Sequence, residues 1–167
     1  MKIRSDFVTN SSSSSFIVCF KNNDEFIKAM KEVSQNYSPD VFATLYKDLC
    51  DSSNRKTREE ALKILKEAYR GEIEFRIVYG YPYGRGGFYN RTHKYGNTTY
   101  EIYNNPEFKK DVKKYVDEQI EKAMKELPKR GIIAEVEYAD EDGSFFSDME
   151  HEIMPYMPFV FKTISHH

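Results

Sequence analysis

The residues best suited to binding chemistry lie in the stretch YGYPYGRGGFYNRTHKYG, residues 79–96. Aromatic and cationic side chains alternate there, and the candidate contact residues are Tyr81, Tyr83, Arg85, Phe88, Tyr89, Arg91 and Lys94. Bases stack on aromatic rings while Arg and Lys contact phosphates, so this pattern could bind single-stranded nucleic acid. Tyr and Arg are also frequent at the centres of protein interfaces. A long hairpin with Tyr-rich strands and no ligand is the third interpretation of the same stretch.

A second group of candidate ligands lies in the acidic C-terminal third. Residues 131–161 contain eight Asp and Glu residues and neither Lys nor Arg. Asp148, Glu150, His151 and Glu152 are close in sequence and include the oxygen and imidazole donors that bind divalent metals. In a strand, however, His151 would point away from the three carboxylates. We therefore expect an exposed acidic hairpin and assign no metal, no cofactor and no catalytic residue.

The third unusual feature is a run of five serines, Ser11, Ser12, Ser13, Ser14 and Ser15. Serine side chains compete for their own backbone hydrogen bonds, so the run predicts a solvated loop between two strands. A second interpretation is a contact or modification tag, because phosphorylation adds up to about two negative charges per serine. A third is a phosphate-binding loop built from successive backbone N–H groups. The run contains no glycine and no adjacent lysine, which makes the phosphate-binding loop the weakest of the three.

The string DFVTNSSSSSFIV, residues 6–18, contains this serine run. It resembles the N-terminal signature of a group of short bacterial and archaeal proteins of unknown function. The resemblance is confined to this string. It implies no activity and assigns no catalytic or binding role to any numbered residue.

Hydrophobic periodicity and capping residues predict the elements that must position these groups. Four helices are expected, at residues 22–35, 38–50, 57–70 and 105–127. Strands are expected at residues 2–8, 15–20, 72–80, 98–103, 132–139, 144–154 and 155–164. This order does not alternate strand and helix regularly, so it predicts an α+β fold. We expect an antiparallel or mixed β-sheet with about four helices packed on one face. We also expect a single domain over residues 1–167, with a Tyr/Gly-rich hairpin insertion at 79–100.

Composition limits the classes of function. The net charge of -2 excludes a globally basic nucleic-acid binder, although residues 75–100 carry four cationic and no acidic side chains. The mean hydropathy of -0.72 and the lack of a long apolar run argue against a membrane partner. The N-terminus lacks the apolar core of a secretion signal. Cys19 and Cys50 have no metal-ligand spacing and are expected to be reduced thiols in a cytoplasmic protein.

The leading hypothesis is therefore a non-catalytic cytoplasmic interaction protein with an unidentified protein partner, which it contacts through residues 79–96. A single-stranded nucleic-acid-binding module that uses the same segment is the first alternative. A metal-assisted hydrolase or transferase with an acidic C-terminal site is the second. A Cys–His pair drawn from Cys19 or Cys50 and His93 or His151 also stays open, and the sequence leaves the oligomeric state undetermined.

Overall fold

The computed structural model describes residues 13–79 and 94–166, and these residues form an α+β fold. Three antiparallel strands lie in the order β2-β1-β3. They are β1 (Ser13–Phe20), β2 (Ile132–Ala139) and β3 (Val160–His166). The described α-helices are α1 (Asn23–Asn36), α2 (Pro39–Cys50), α3 (Arg58–Tyr79), α4 (Thr99–Asn104), α5 (Pro106–Glu126) and α6 (Ser144–Asp148). The predicted fold class is confirmed, with six α-helices in these residues in place of about four.

The chain divides into two compact units. One consists of the residues up to Arg58 together with Pro128 onward, and the other is Glu59–Leu127. The first contains the sheet, α1, α2 and α6. The second contains nearly all of α3 and the whole of α4 and α5. The single domain expected from the sequence stays a prediction.

In the first unit, α1 and α2 cover one face of the sheet. Phe16, Val18 and Phe20 alternate along the central strand and point into this core, as a period of two requires. Both helices present apolar side chains spaced three or four residues apart. These side chains are Phe26, Met30 and Val33 of α1 and Val41, Leu45 and Leu49 of α2. Both predicted apolar stripes are confirmed.

The capping residues begin both helices where the sequence predicts. The side chain of Asn22 accepts a hydrogen bond from the Glu25 backbone N–H at 2.9 Å. The Ser38 hydroxyl accepts from the Val41 N–H at 3.3 Å, and Pro39 occupies the first helical position. Each cap satisfies a backbone donor that has no partner within the helix.

The second unit has its own apolar core between its helices. The buried members are Val78, Ile102, Phe108, Val112 and Val116. Asn105 caps α5 by accepting from the Glu107 and Phe108 N–H groups, and Pro106 follows it. The prediction of a helix from this Asn-Pro pair to a point just before Pro128 is confirmed.

Two predicted strands, at residues 72–80 and 98–103, are wrong. The chain is helical through Tyr79 and again over Thr99–Asn104, so helices flank the expected hairpin insertion. Ile73 and Ile77 lie four residues apart and pack on one helical face, although they also fit a strand alternation. Gly71 does not end α3, because the roughly 1 kcal/mol that a helical glycine costs is outweighed by packing on both sides of it.

The predicted strand at 144–154 is also wrong. This segment forms α6, a π-helical turn at Met149–Ile153 and a 3₁₀ turn at Met154–Tyr156. Phe145, Met149 and Ile153 recur every four residues and pack against the core of the first unit. The expectation of an acidic hairpin fails with it, because only β2 of the two expected arms is extended.

The expected strand at residues 2–8 lies outside the described residues. The last extended segment, β3, lies at an edge of the sheet, because among the described strands it pairs only with β1. In the described part of the chain, no helix combines the length and the apolar character that crossing a bilayer requires.

Candidate functional site

The last three serines of the run belong to the central strand. Ser13, Ser14 and Ser15 pair with β2 on one side and with β3 on the other. Ser14 and Ser15 are buried, with 4% and 3% of their surface exposed. The expectation of a solvated loop is therefore wrong for these three residues, because the two flanking strands satisfy the backbone groups for which the serine hydroxyls would compete. Ser11 and Ser12 lie outside the described residues.

The two buried serines point to opposite faces of the sheet and bind different partners. The Ser14 hydroxyl donates to Oε1 of Glu150 at 2.9 Å. The Ser15 hydroxyl lies 2.8 Å from Nε2 of His166. Burial places both hydroxyls out of reach of a modifying enzyme while the sheet is intact. The tag hypothesis consequently depends on Ser11, Ser12 and the half-buried Ser13, and it stays a prediction for them.

Glu150 is the buried centre of a polar cluster on the face of the sheet to which Ser14 points. Its side chain is fully excluded from solvent, and its Oε2 lies 3.7 Å from Nε2 of His151. The same histidine nitrogen lies 3.0 Å from Oδ1 of Asp140. Glu150 and His151 belong to the π-helical turn Met149–Ile153, and such turns often occur at functional sites.

The cluster contains side chains of the types that bind metals, but they are not the set that the sequence suggests. The candidate ligand atoms of Asp140, Glu150 and His151 lie within 4.8 Å of one another. Asp148 and Glu152 are exposed and do not join them, because the segment is helical rather than extended. Two carboxylates and an imidazole could hold a divalent ion. In the described structure His151 is hydrogen-bonded to Asp140, and the Ser14 hydroxyl donates to Glu150.

Sequence reasoning missed Asp140 and Ser14 as members of this cluster. Asp140 follows the end of β2, eleven residues before His151, and Ser14 is 136 residues away from Glu150. Strand pairing brings them together, and no local pattern signals it. The sequence offers a signal for Glu150 alone. It lies four residues after Phe146 and four residues before Met154, a spacing that places an acidic residue on an apolar helical face.

Most of the predicted contact surface lies outside the described residues, namely Tyr81, Tyr83, Arg85, Phe88, Tyr89 and Arg91. Lys94 is described. Its Nζ donates to Oδ2 of Asp111 at 2.8 Å and lies 3.9 Å from Oε1 of Glu107. The Tyr95 hydroxyl donates to the same Asp111 oxygen at 2.6 Å. The hydrogen bonds from Lys94 and Tyr95 lower the pKa of Asp111, and the bond to Asp111 raises the pKa of Lys94.

Two tyrosines of α4 are also exposed. Tyr100 is 79% exposed and Tyr103 is 38% exposed. They lie three residues apart, so they share one side of the helix. Tyr103 also packs edge-to-face on Phe108 with the ring centres 5.5 Å apart. The rest of α4 is anchored by Ile102, which is fully buried in the core of the second unit.

The two cysteines differ in reactivity because they differ in environment. Burial raises the pKa of the Cys19 thiol to about 12, whereas Cys50 is exposed at the end of α2. The thiolate is the nucleophilic form, so Cys19 is a poor candidate for a catalytic Cys–His pair. His93, one of the histidines considered for such a pair, lies outside the described residues.

We expect an alkylating reagent at mildly alkaline pH to modify Cys50 rapidly and Cys19 only after unfolding. A raised pKa leaves the Cys19 thiol protonated in the folded chain until the pH passes the folded value, while the unfolded thiol ionises near its ordinary pKa. Intact-mass measurement during the reaction would show one fast addition, and Cys50→Ser would abolish it. Two equally fast additions to the folded chain would contradict this assignment.

Comparison with family models, with curated proteins and with solved structures finds no match to this chain. The resemblance of residues 6–18 to the serine-containing signature therefore stays a prediction.

Proposed function

We propose that this chain is a non-catalytic binding protein that contacts a protein partner through residues 79–96 and the adjoining tyrosines of α4. The observation that carries this proposal is the placement of Tyr100, a large ring 79% exposed on a helix whose other side is anchored in a core. A tyrosine side chain has few rotatable bonds and loses little conformational entropy on binding, and Tyr is enriched at interface hot spots. Tyr100 thus supplies an anchor four residues after the Tyr/Arg-rich stretch in the sequence.

Charge favours a protein partner over single-stranded nucleic acid. The described residues 94–111 contain three lysines and three acidic residues, so their net charge is zero, whereas Arg85 and Arg91 of the proposed surface lie outside the described residues. Lys94, the described cation of the predicted surface, is paired with Asp111 and lies near Glu107. A nucleic-acid backbone would have to displace these carboxylates, and only unpaired cations contribute fully to the salt-dependent attraction.

The polar cluster around Glu150 supports a structural role better than a hydrolytic one. Glu150 is fully buried and is hydrogen-bonded to Ser14 of the central strand. A metal-assisted hydrolase keeps an open coordination position for water or substrate, which a fully buried ligand does not provide by itself. Elemental analysis of the purified chain tests this alternative, and a stoichiometric divalent metal would revive it.

We further propose a cytoplasmic location, supported by the two cysteines. Cys19 and Cys50 are both free thiols, and reducing compartments keep thiols in this form.

Truncating the anchor should weaken partner binding without destabilising the fold. The immobilised full chain would be used to retain a partner from host lysate, and the affinity would then be measured with that partner purified. We expect Tyr100→Ala to raise the Kd about tenfold or more, because hot-spot truncations cost roughly 1–2 kcal/mol or more. Arg85→Ala with Arg91→Ala should weaken binding as well.

Tyr156→Ala is the matched control, because Tyr156 is 74% exposed but belongs to the other unit. It should leave the Kd unchanged. An equal Kd for wild type and Tyr100→Ala would reject the proposed surface. In parallel, mixed-sequence single-stranded RNA and DNA would be titrated at two salt concentrations. Tight, salt-dependent binding that Arg85→Ala and Arg91→Ala abolish would favour the nucleic-acid alternative.

A further inference from the structure

A small groove in the unit that contains the sheet forms a separate candidate surface. It lies where the end of α1 meets the turn before β3 and has a volume of about 180 Å³. The residues that line the groove include Ala29, Glu32, Val33, Tyr37, Met157 and Phe159. Sites for drug-sized ligands occupy roughly 300–1,000 Å³. The groove therefore suits one long side chain of a partner better than a cofactor.

The buried side chains that line the groove are apolar, and one acidic side chain of the lining, Glu32, is exposed. Val33 and Met157 are buried and Phe159 is half-buried, so they offer hydrocarbon surface. The exposed carboxylate of Glu32 and the ring of Tyr37, 37% exposed, lie at the opening. An apolar floor with a carboxylate at the mouth suits a side chain that has a hydrocarbon stem and a charged end.

The end of α1 adds negative potential at the same place. A helix carries partial negative charge at its C-terminus, where basic side chains are favourable. The last turn of α1 contains no basic residue. Lys28 and Lys31 lie on the same helix, but neither of them lines the groove. No Lys or Arg among the described residues forms an ion pair with Glu32 within 4.0 Å.

The surrounding unit has the same sign of charge. Residues 131–161, which supply Met157, Pro158 and Phe159, contain eight acidic residues and no Lys or Arg. A field of one sign attracts ligands of the opposite sign. Among the described residues, Glu135 forms an ion pair with Lys56 at 3.6 Å, so part of the negative charge is neutralised within the unit. Over the whole unit, residues 1–58 and 128–167, fifteen acidic residues outnumber twelve Lys and Arg residues, and this net negative charge favours a cationic occupant.

We infer that this groove binds a lysine or arginine side chain of a partner protein. The hydrocarbon stem would pack on Val33, Met157 and Phe159, and the cation would meet Glu32 and the end of α1. Tyr37 is placed to add a cation–π contact. This inference is independent of the surface on α4, since the two surfaces belong to different units.

The test uses the ¹⁵N-labelled full chain and a capped Gly-Arg-Gly peptide, followed by backbone NMR. We expect saturable shifts at Ala29, Val33 and Phe159 at millimolar peptide, with tighter binding at low salt. A peptide with norleucine in place of arginine keeps the stem and removes the charge, and it should bind more weakly. A Lys peptide should reproduce the shifts of the Arg peptide.

Glu32→Gln removes the charge at the rim without a cavity and should weaken the Arg peptide about three- to fivefold, as expected for an exposed ion pair. Asp24→Asn is the matched control, because Asp24 is exposed on the first turn of the same helix. It should leave the affinity unchanged. Shifts that avoid the groove, equal binding of the norleucine peptide, or an unchanged affinity in Glu32→Gln would each overturn the inference.

Discussion

Gly131→Ala is expected to lower the free energy of unfolding by about 3 kcal/mol or more, the largest single effect predicted for this chain. Gly131 precedes β2 with φ of +148°, a conformation that L side chains rarely adopt. A Cβ at this position would lie against the carbonyl oxygen of Phe20 and 2.8 Å from that of Lys21. Both contacts are with backbone at the end of β1, so they cannot be relieved by a rotamer change.

Urea unfolding followed by circular dichroism measures this effect, and Gly71→Ala is its control. Gly71 lies within α3, and a Cβ there would meet nothing within 4 Å. The same substitution should therefore stabilise the chain by about 0.5–1 kcal/mol. Opposite signs for the two variants would establish that backbone geometry, rather than the loss of glycine itself, sets the outcome. Equal stability of Gly131→Ala and wild type would contradict the close approach of the two strand ends.

Ser14→Ala is expected to cost about 1–3 kcal/mol, because it removes a donor from a carboxylate that water cannot reach. Glu150 accepts the Ser14 hydrogen bond at 2.9 Å and has no exposed side-chain surface. Glu150→Gln keeps an oxygen for the serine and removes the buried charge. It should therefore change stability by no more than about 1 kcal/mol.

A double-mutant cycle separates the contribution of the Ser14–Glu150 hydrogen bond to stability from that of the buried Glu150 charge. In the Glu150→Gln background, Ser14→Ala should cost only the roughly 0.5–1.5 kcal/mol of a neutral hydrogen bond. Ser13→Ala is the control on the same strand and should stay within about 0.5 kcal/mol of wild type. If Ser14→Ala were no more costly than Ser13→Ala, the hydroxyl would not be supporting the buried carboxylate. The chemical unfolding curves used for Gly131 serve for these variants as well.

Ser14 and Ser15 have a structural role that the composition of the serine run does not reveal. Five hydroxyls in sequence favour a solvated loop when only local competition for the backbone is considered. In the fold, Ser14 and Ser15 occupy the middle strand, and each of them has a side-chain partner more than 130 residues away. The serines therefore provide polar contacts on both faces of the sheet, and an apolar residue at position 14 would leave Glu150 without this donor.

The local sequence pattern was sufficient to predict an element where capping residues and hydrophobic periodicity indicated the same structure. Asn22, Ser38 and Asn105 each cap the helix predicted to begin beside them. The alternation over 132–139 predicts β2, and the α+β class follows from the order of these elements. These features depend on contacts between residues a few positions apart, which a sequence displays directly.

Only the tertiary structure decided the segments whose local pattern fits both a helix and a strand. Residues 72–79 alternate like a strand, but the core of the second unit selects the helical face that contains Ile73 and Ile77. Residues 144–154 are helical because Phe145, Met149 and Ile153 reach the core of the first unit. Helical geometry then turns Glu150 inward toward Ser14. The physical reason is that burial free energy depends on partners distant in sequence, and it exceeds the small differences in local propensity between helix and strand.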